Sequence, residues 1–417
     1  MEEPQQLTMN SSDNFQRNEN GWQNSVIIIP ALLSGSTLII VAVILWKSIS
    51  RKRERRKATK DKMRDVDGDW AVNAGAVYEN SLDAPDPILE KKQLSGDWIV
   101  EHKVFVCNGH FGPISRAVLC RSGQTEGRQQ VILKELSEHC SPGEVQDFID
   151  LMKFYAHVCN HQSLVTMLWC QTQQRPQGVI MKAMSYGNLL TFLRNSHEVD
   201  GSFVLYVNEH VMKGMQTTEG TNPRITEKDV YSMASQVASG LEYLSGTHDL
   251  VHGYVAACNV LIHDDLSVQL CGLGLAALQH RTGSIHTRRA TQVPLKWQSP
   301  ERLKDANITE KSDVWSFGIL LYEMVTLGSP PYPDLEPSQL PTKLQKHYRM
   351  ERPAPCGQHL YDVMTNCWQW EAPLRPCFTD VLKQLQNSSV GADGLTPLPP
   401  MDALSWAEYL HVAGVPS

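Results

Sequence analysis

Apolar residues recur along this chain in three patterns, and each predicts a different kind of element. The first is continuous. Val26 to Trp46 (VIIIPALLSGSTLIIVAVILW) is 21 residues without a charge, and as a helix it spans roughly 31 Å, the thickness of a bilayer's hydrocarbon core. A buried core helix rarely runs so long without a polar face, and a signal peptide is shorter and follows a basic stretch. Pro30 falls in the first turn or so, where it costs least. Trp22 and Trp46 flank the run as interfacial anchors do. One membrane-spanning helix is expected here. Alternation is the second pattern: Trp98-Ile99-Val100 and Val104-Phe105-Val106 predict the first strand of a hairpin. Helical spacing is the third. Val145, Phe148, Ile149 and Met152 mark one helix, and Val230 to Leu244 (VYSMASQVASGLEYL) mark a second. Residues 195 to about 223 form a polar insert between them.

Charge orients the continuous run. Residues 1–25 hold Glu2, Glu3, Asp13 and Glu19 against Arg17, whereas residues 47–64 hold ten bases against Glu54 and Asp61. Lys and Arg stay on the cytoplasmic side. The N-terminus is therefore expected outside and everything after Trp46 in the cytosol, at the plasma membrane or an endomembrane. Asn10-Ser11-Ser12 is a glycosylation acceptor pattern on the outer side. That outer segment is too short and polar to fold, so a ligand-binding receptor head is not expected. The basic run Arg51 to Lys57 acts as a stop-transfer signal and can also press on anionic lipid, at about 1 kcal/mol per basic residue. Tyr78-Glu79-Asn80 has the Y-x-N form that some SH2 domains read after phosphorylation.

Composition adds two exclusions. A net charge of −7 gives no reason to expect a nucleic-acid partner. All ten cysteines follow the apolar run, none in a C-x-x-C pair, and a reducing cytosol keeps them as free thiols. At 417 residues the chain accommodates one large two-lobed domain plus appendages.

The candidate chemistry comes in a fixed order. The hairpin turn CNGHFGPI carries Gly109, Gly112 and Ile114; glycines there let backbone N–H groups approach phosphates, although such a turn alone is usually only a turn. Lys134 ends Val131-Ile132-Leu133-Lys134. VIMKAMSYGNLLTFLR follows, then HGYVAACNVLI (His252 to Ile262), LCGLGLA (Leu270 to Ala276), PLKWQSPERL and SDVWSFGILLYEMVTLGSPPYP, ending at Cys367-Trp368 and Arg375 to Phe378. In this order the motifs resemble the protein kinases, and within them the tyrosine-kinase branch. The resemblance implies an α+β fold of two lobes: a small antiparallel-sheet N-lobe with one helix, and a mostly helical C-lobe. It places Gly109, Gly112, Ile114, Ile132, Lys134 and the gatekeeper Met181 around a nucleotide, Asn259 at a magnesium-holding position, and Glu301 opposite Arg375 as an ion pair.

The reactive positions depart from the family. Tyr254 stands for the catalytic Asp, Gly253 and Cys258 for two Arg residues, and Gly272 for the Asp that is the main protein ligand of magnesium. Cys107 stands for the first glycine of the phosphate loop. Ile132 replaces a small Ala that packs against adenine, and overpacking a fitted site typically costs about 1–3 kcal/mol. Glu144, Asp147 and Asp150 are all candidates for the acid that pairs with Lys134. Asp264 and Asp265 read as solvated turn residues rather than substitute metal ligands. The activation segment offers Thr282, Ser284, Thr287 and Thr291 but no Tyr, in keeping with Gly253, because the missing Arg would grip a phosphorylated side chain.

The expected organisation is an outer segment (1–25), a transmembrane helix (26–46), a basic juxtamembrane linker (47–97), a kinase-like domain (98–386) and a tail (387–417). The tail holds Pro397-Leu398-Pro399-Pro400, a polyproline-type ligand, and ALSWAEYL, a short helix with Tyr409. Two functions follow. One is a membrane-anchored pseudokinase that promotes growth signalling by binding other kinases or SH2-type adaptors and requires no cofactor or metal. The alternative is an active protein-tyrosine kinase that transfers the γ-phosphate of ATP with Mg2+ through an atypical site. Tyr254 would then serve as base, yet an unperturbed Tyr titrates near 10. Losing positioned acid–base help typically costs 10²–10⁴-fold in rate.

Overall fold

The computed structural model describes residues 86–122, 127–195, 223–283, 293–304, 308–399 and 404–415, with the backbone of 204–207 and 210–213. Asn10, the apolar run 26–46, the basic run 51–57, Tyr78, Ser284, Thr287 and Thr291 lie outside the described residues. Among the described residues no helix is long and apolar enough to cross a membrane.

The smaller lobe is built on one antiparallel sheet. Its strands β1 (Trp98–Asn108), β2 (Pro113–Arg121), β3 (Gln129–Glu135), β4 (Met167–Gln171) and β5 (Gly178–Lys182) lie in the order β1-β2-β3-β5-β4. Register sets what faces the cleft. Ile132 stands opposite Arg116 and Met181, and Lys134 opposite Ile114 and Val179. The period of two puts Ile132 and Lys134 on one face of the sheet. A short helix α1 (Pro87–Lys91), capped by Asp86, buries Leu89 before β1 begins. The main helix of this lobe, α2 (Pro142–Val158), starts at a capping box in which Ser141 and Glu144 satisfy each other's backbone donors. Its residues Phe148, Met152 and Tyr155, at helical spacing, are buried.

The larger lobe is mostly helical. After a two-residue strand β6 (Gly187–Asn188) come α3 (Leu189–Asn195) and, within the polar insert, a hairpin of β7 (Val204–Val207) and β8 (His210–Lys213). Helix α4 (Glu227–Glu242), capped by Thr226 and Asp229, leads to the loop at His252 and the strand pair β9 (Val260–Ile262) and β10 (Val268–Leu270). The remaining helices are α5 (Gly274–Thr282), α6 (Glu310–Val325), α7 (Leu340–Gln345), α8 (Gln358–Cys367), α9 (Phe378–Ser389) and α10 (Trp406–Ala413). Every residue of α6 from Ser312 onward is buried, so this helix is the axis of the core rather than an amphipathic cover.

The packed body extends on both sides of the 98–386 span. Gln93 bridges to Cys170 ahead of β1. Beyond α9, Thr226 pairs with Pro397, and the Leu398 N–H donates to the Ile225 carbonyl at 2.8 Å. Leu398 is buried, so Pro397 and Leu398 are docked on their own domain, while Pro400 lies outside the described residues. The short helix expected around Tyr409 is present, and it buries Tyr409 and Ala413. All ten cysteines are free thiols.

Candidate active site

The loop after α4 is held from below by two acids of the buried helix α6. Asp313 accepts from the backbone N–H groups of His252 (2.7 Å) and Gly253 (2.8 Å). Burial pushes its carboxyl up to about 7, against those two donors, which favour the charge. Glu323 accepts through one oxygen from Ala257 N–H and Trp297 Nε1–H, each at 3.0 Å. Its carboxyl is also pushed to about 7 by burial. His252 is fully buried, with Nε2 2.7 Å from the Cys271 carbonyl and Nδ1 accepting from Tyr254 N–H. That pattern requires the neutral Nε2–H tautomer, and burial lowers its pKa to about 4. The loop is thus braced by Asp313, Glu323 and its own His252.

What the brace presents is different. Tyr254, at the proton-acceptor position, is half-buried, and its hydroxyl accepts from Cys258 Sγ at 3.6 Å. Burial foremost, then Cys258, moves its pKa well above 10, which makes it a worse base than free tyrosine at neutral pH. Asn259 donates its Nδ2 to the Tyr254 carbonyl at 2.9 Å. Its Oδ1 lies where a Cβ on Gly272 would sit, 2.5 Å from that position. Gly272 has φ +76°, so an L side chain there is strained as well as blocked. Of the two positions that hold magnesium in the family, one has no side chain and the other offers a single neutral amide oxygen, Asn259 Oδ1, with no carboxylate beside it. These residues do not fit the ion. Asp264 and Asp265 do not substitute for them, since both are exposed in the β9–β10 turn beside His263.

On the opposite side of the cleft, the glycine hairpin is folded down. Gly109 N–H donates to Gly112 O at 2.7 Å, and Phe111 O accepts from Ser137 N–H at 2.8 Å. Phe111 packs on Phe148 of α2 with ring centroids 5.3 Å apart. Gly112 has φ +148°, and a Cβ there would lie 2.6 Å from the Glu135 carbonyl oxygen and the Ser137 nitrogen. Under the hairpin, Val106, Cys107 and Ile114 form a small buried cluster against which Ile132 packs. The structure thus brings Cys107, Ile114 and Ile132 into contact and sets Met181, buried, across the strand from Ile132.

Lys134 is half-buried, and burial lowers its pKa. None of the three acids considered for it is its partner. Glu144 is spent in the cap of α2, while Asp147 and Asp150 both pair with Arg281 of α5. Among the described residues no carboxylate forms an ion pair with Lys134. The start of the activation segment explains this. It coils into α5, whose Leu275, Ala276 and Leu278 are buried, and whose His280 meets Phe154 of α2 edge-on at 5.7 Å. Asp147 and Asp150 therefore serve this helix. Glu301 and Arg375 form their expected ion pair, with contacts at 2.7 and 2.8 Å.

Sequence reasoning missed Asp313 and Glu323, the residues on which the loop rests. Their signal was available: charged residues within SDVWSFGILLYEMV, an otherwise apolar stretch, must be bonded to something buried.

The two-lobed fold, the braced loop and the Glu301–Arg375 pair define a protein kinase domain. Residues 100–385 match the family model of protein tyrosine and serine/threonine kinases, and the chain belongs to this family, whose active members use ATP with magnesium. The chain is similar along nearly its whole length to Tyrosine-protein kinase STYK1. It is 35% identical to that of Homo sapiens over 409 residues, 94% of this chain and 92% of that protein. With that of Mus musculus the identity is 34% over 408 residues, 94% and 91% of the two chains. A fibroblast growth factor receptor of Hydra vulgaris is 30% identical over 337 residues, 79% of this chain but 39% of the receptor.

Proposed function

We propose that this chain is a membrane-anchored tyrosine-kinase-family protein that signals by binding other kinases or SH2-type adaptors, without phosphoryl transfer of its own. The observation that carries this reading is Gly272 at φ +76°, where no carboxylate is present and where Asn259 Oδ1 lies 2.5 Å from the place a Cβ would take. Tyr254 held as a neutral phenol, Lys134 without an ion pair among the described residues and the apolar packing of Ile132 under the hairpin support it. Membrane anchoring is read from residues 26–46, and a receptor among the relatives agrees with it. The phosphotyrosine read by an adaptor is Tyr78, modified by another enzyme.

An active tyrosine kinase is the second reading. It is favoured by Lys134 at its family position and by relatives that bear the name tyrosine-protein kinase. Thermal unfolding of the full chain in lipid nanodiscs, with excess ATP and with or without Mg2+, separates the two. A ligand that binds the folded state alone raises Tm. Under the binding reading Tm is unchanged by ATP with or without magnesium, and Ile132→Ala improves nucleotide binding where bulk is the obstacle. A large magnesium-dependent rise in the native chain would establish the active kinase. In cells, Lys134→Met leaves growth signalling intact and Tyr78→Phe reduces it.

A further inference from the structure

The C-terminal helix α10 is seated by one cation. Arg194, at the end of α3, lies 4.7 Å from the ring centre of Tyr409 and 5.5 Å from that of Trp406. The two rings stack on each other at 5.1 Å. The same guanidinium donates to the Leu404 carbonyl at 2.5 Å and reaches the Gly328 carbonyl at 3.5 Å. At the far end of the helix, Gly414 turns the chain with φ +69° against Pro337. The outcome is that Tyr409 is 2% exposed, while Ser405, Ala407, Glu408 and His411 of the same segment face solvent.

This seat lies beside the altered catalytic loop. Tyr409 belongs to the main core, against which Tyr254 and Cys258 also pack. Burial, then Glu323 and Cys258, hold its phenol well above its ordinary pKa near 10. One oxygen of Glu323 is buried with no hydrogen-bond partner. The region around the phenol therefore favours a neutral group and opposes an anion.

We propose that α10 is a detachable latch, and that Tyr409 is a phosphorylation site for a separate tyrosine kinase, hidden while the latch is seated and open when it lifts. Eight residues do not hold a helix alone in water, so leaving the seat also unwinds the segment and gives an extended acceptor. The separate kinase transfers the γ-phosphoryl group of ATP: the bond from phosphorus to Tyr409 Oη forms, the bond to the ADP oxygen breaks, and the phenol proton passes to that kinase's own base. The phosphate adds a charge of about −1.5 to −2. Returning to the seat would bury that charge beside Glu323, and the pull of Arg194 is the weakest of the effects on the phenol, behind burial, Glu323 and Cys258. Modification thus locks the latch open. This inference extends beyond the proposed function and holds whether or not the domain itself transfers phosphate.

The test uses the full chain in nanodiscs with a purified active tyrosine kinase and Mg-ATP, reading phosphate at Tyr409 by mass spectrometry and amide exchange across residues 404–415. Arg194→Ala loosens the seat from the domain side, and Trp406→Ala loosens it from the tail side by removing a partly buried ring stacked on Tyr409. Both variants are expected to gain phosphate at Tyr409 at least tenfold faster than the native chain, and the phosphorylated native chain is expected to lose protection over 404–415. Equal rates in native and variant chains would overturn the concealed site. Released but unmodified variants would overturn the acceptor, and a phosphorylated chain with native protection would overturn the latch.

Discussion

Gly272 explains why this site is not repaired by returning one side chain. An Asp there would need φ +76° and the volume held by Asn259 Oδ1. Left-handed strain costs of order 1–3 kcal/mol, and Asn259 has to give up its bond to the Tyr254 carbonyl. Gly272→Asp is expected to lower Tm by at least about 2 °C, and the double variant with Tyr254→Asp to remain without magnesium-dependent ATP binding; an unchanged Tm with such binding would contradict this geometry. Glu323 offers a second test at this scale. Its folded pKa, about 7, is raised above the unfolded value by burial. Its contribution is therefore full below about pH 4 and is lost as pH rises through about 7. Glu323→Gln keeps an oxygen for Ala257 and Trp297 and removes the proton. Relative to the variant, the native chain should lose stability between about pH 4 and 7 and change little above that; parallel Tm profiles would remove Glu323 from the account.

At the scale of elements, two segments pack against α2. The glycine hairpin packs on it through Phe111 and Phe148, and α5 through Arg281 with Asp147 and Asp150. The ion pairs are partly exposed, and such pairs contribute roughly 0–1 kcal/mol; the apolar contacts carry the attachment. Gly112 is the tight point, because the atoms a Cβ would meet are backbone and cannot rotate away. Gly112→Ala is expected to lift the turn, break the Ser137–Phe111 hydrogen bond and speed amide exchange at Ser137 while α6 stays protected. Native exchange at Ser137 would show that the hairpin is not held where we place it. The acids at 144, 147 and 150 were legible as helix-surface residues at the right distance from Lys134. Their actual partners, Ser141 and Arg281, were not, because the cap takes Glu144 and the activation-segment helix takes Asp147 and Asp150.

For the molecule as a whole, the proposed arrangement places one kinase-shaped domain under a bilayer. The opposed charges on either side of residues 26–46 set the expected orientation. A tag before Met9 should be cleaved by protease on intact cells and a tag after Ser417 protected; the reverse pattern would put the kinase domain outside. Periodicity was sufficient for the helix before His252, because it acts locally, while the two lobes, the place of the strand carrying Lys134 and the Glu301–Arg375 pair were what the resemblance to the kinases implied. Alternation at Trp98 to Val106 and the spacing of Phe148 and Met152 follow directly from which face meets the core. The missing reactive groups, Tyr254 and Gly272, were equally plain, since a side chain's chemistry is written in its identity. What only the tertiary structure decided is how the vacated positions were filled. Asn259 turning onto Gly272, Phe111 closing on Phe148, Arg281 taking the acids of α2, and Tyr409 seated by Arg194 from 215 positions away all join residues distant in the chain. Such contacts depend on the volume left between packed elements, and no local pattern records that volume.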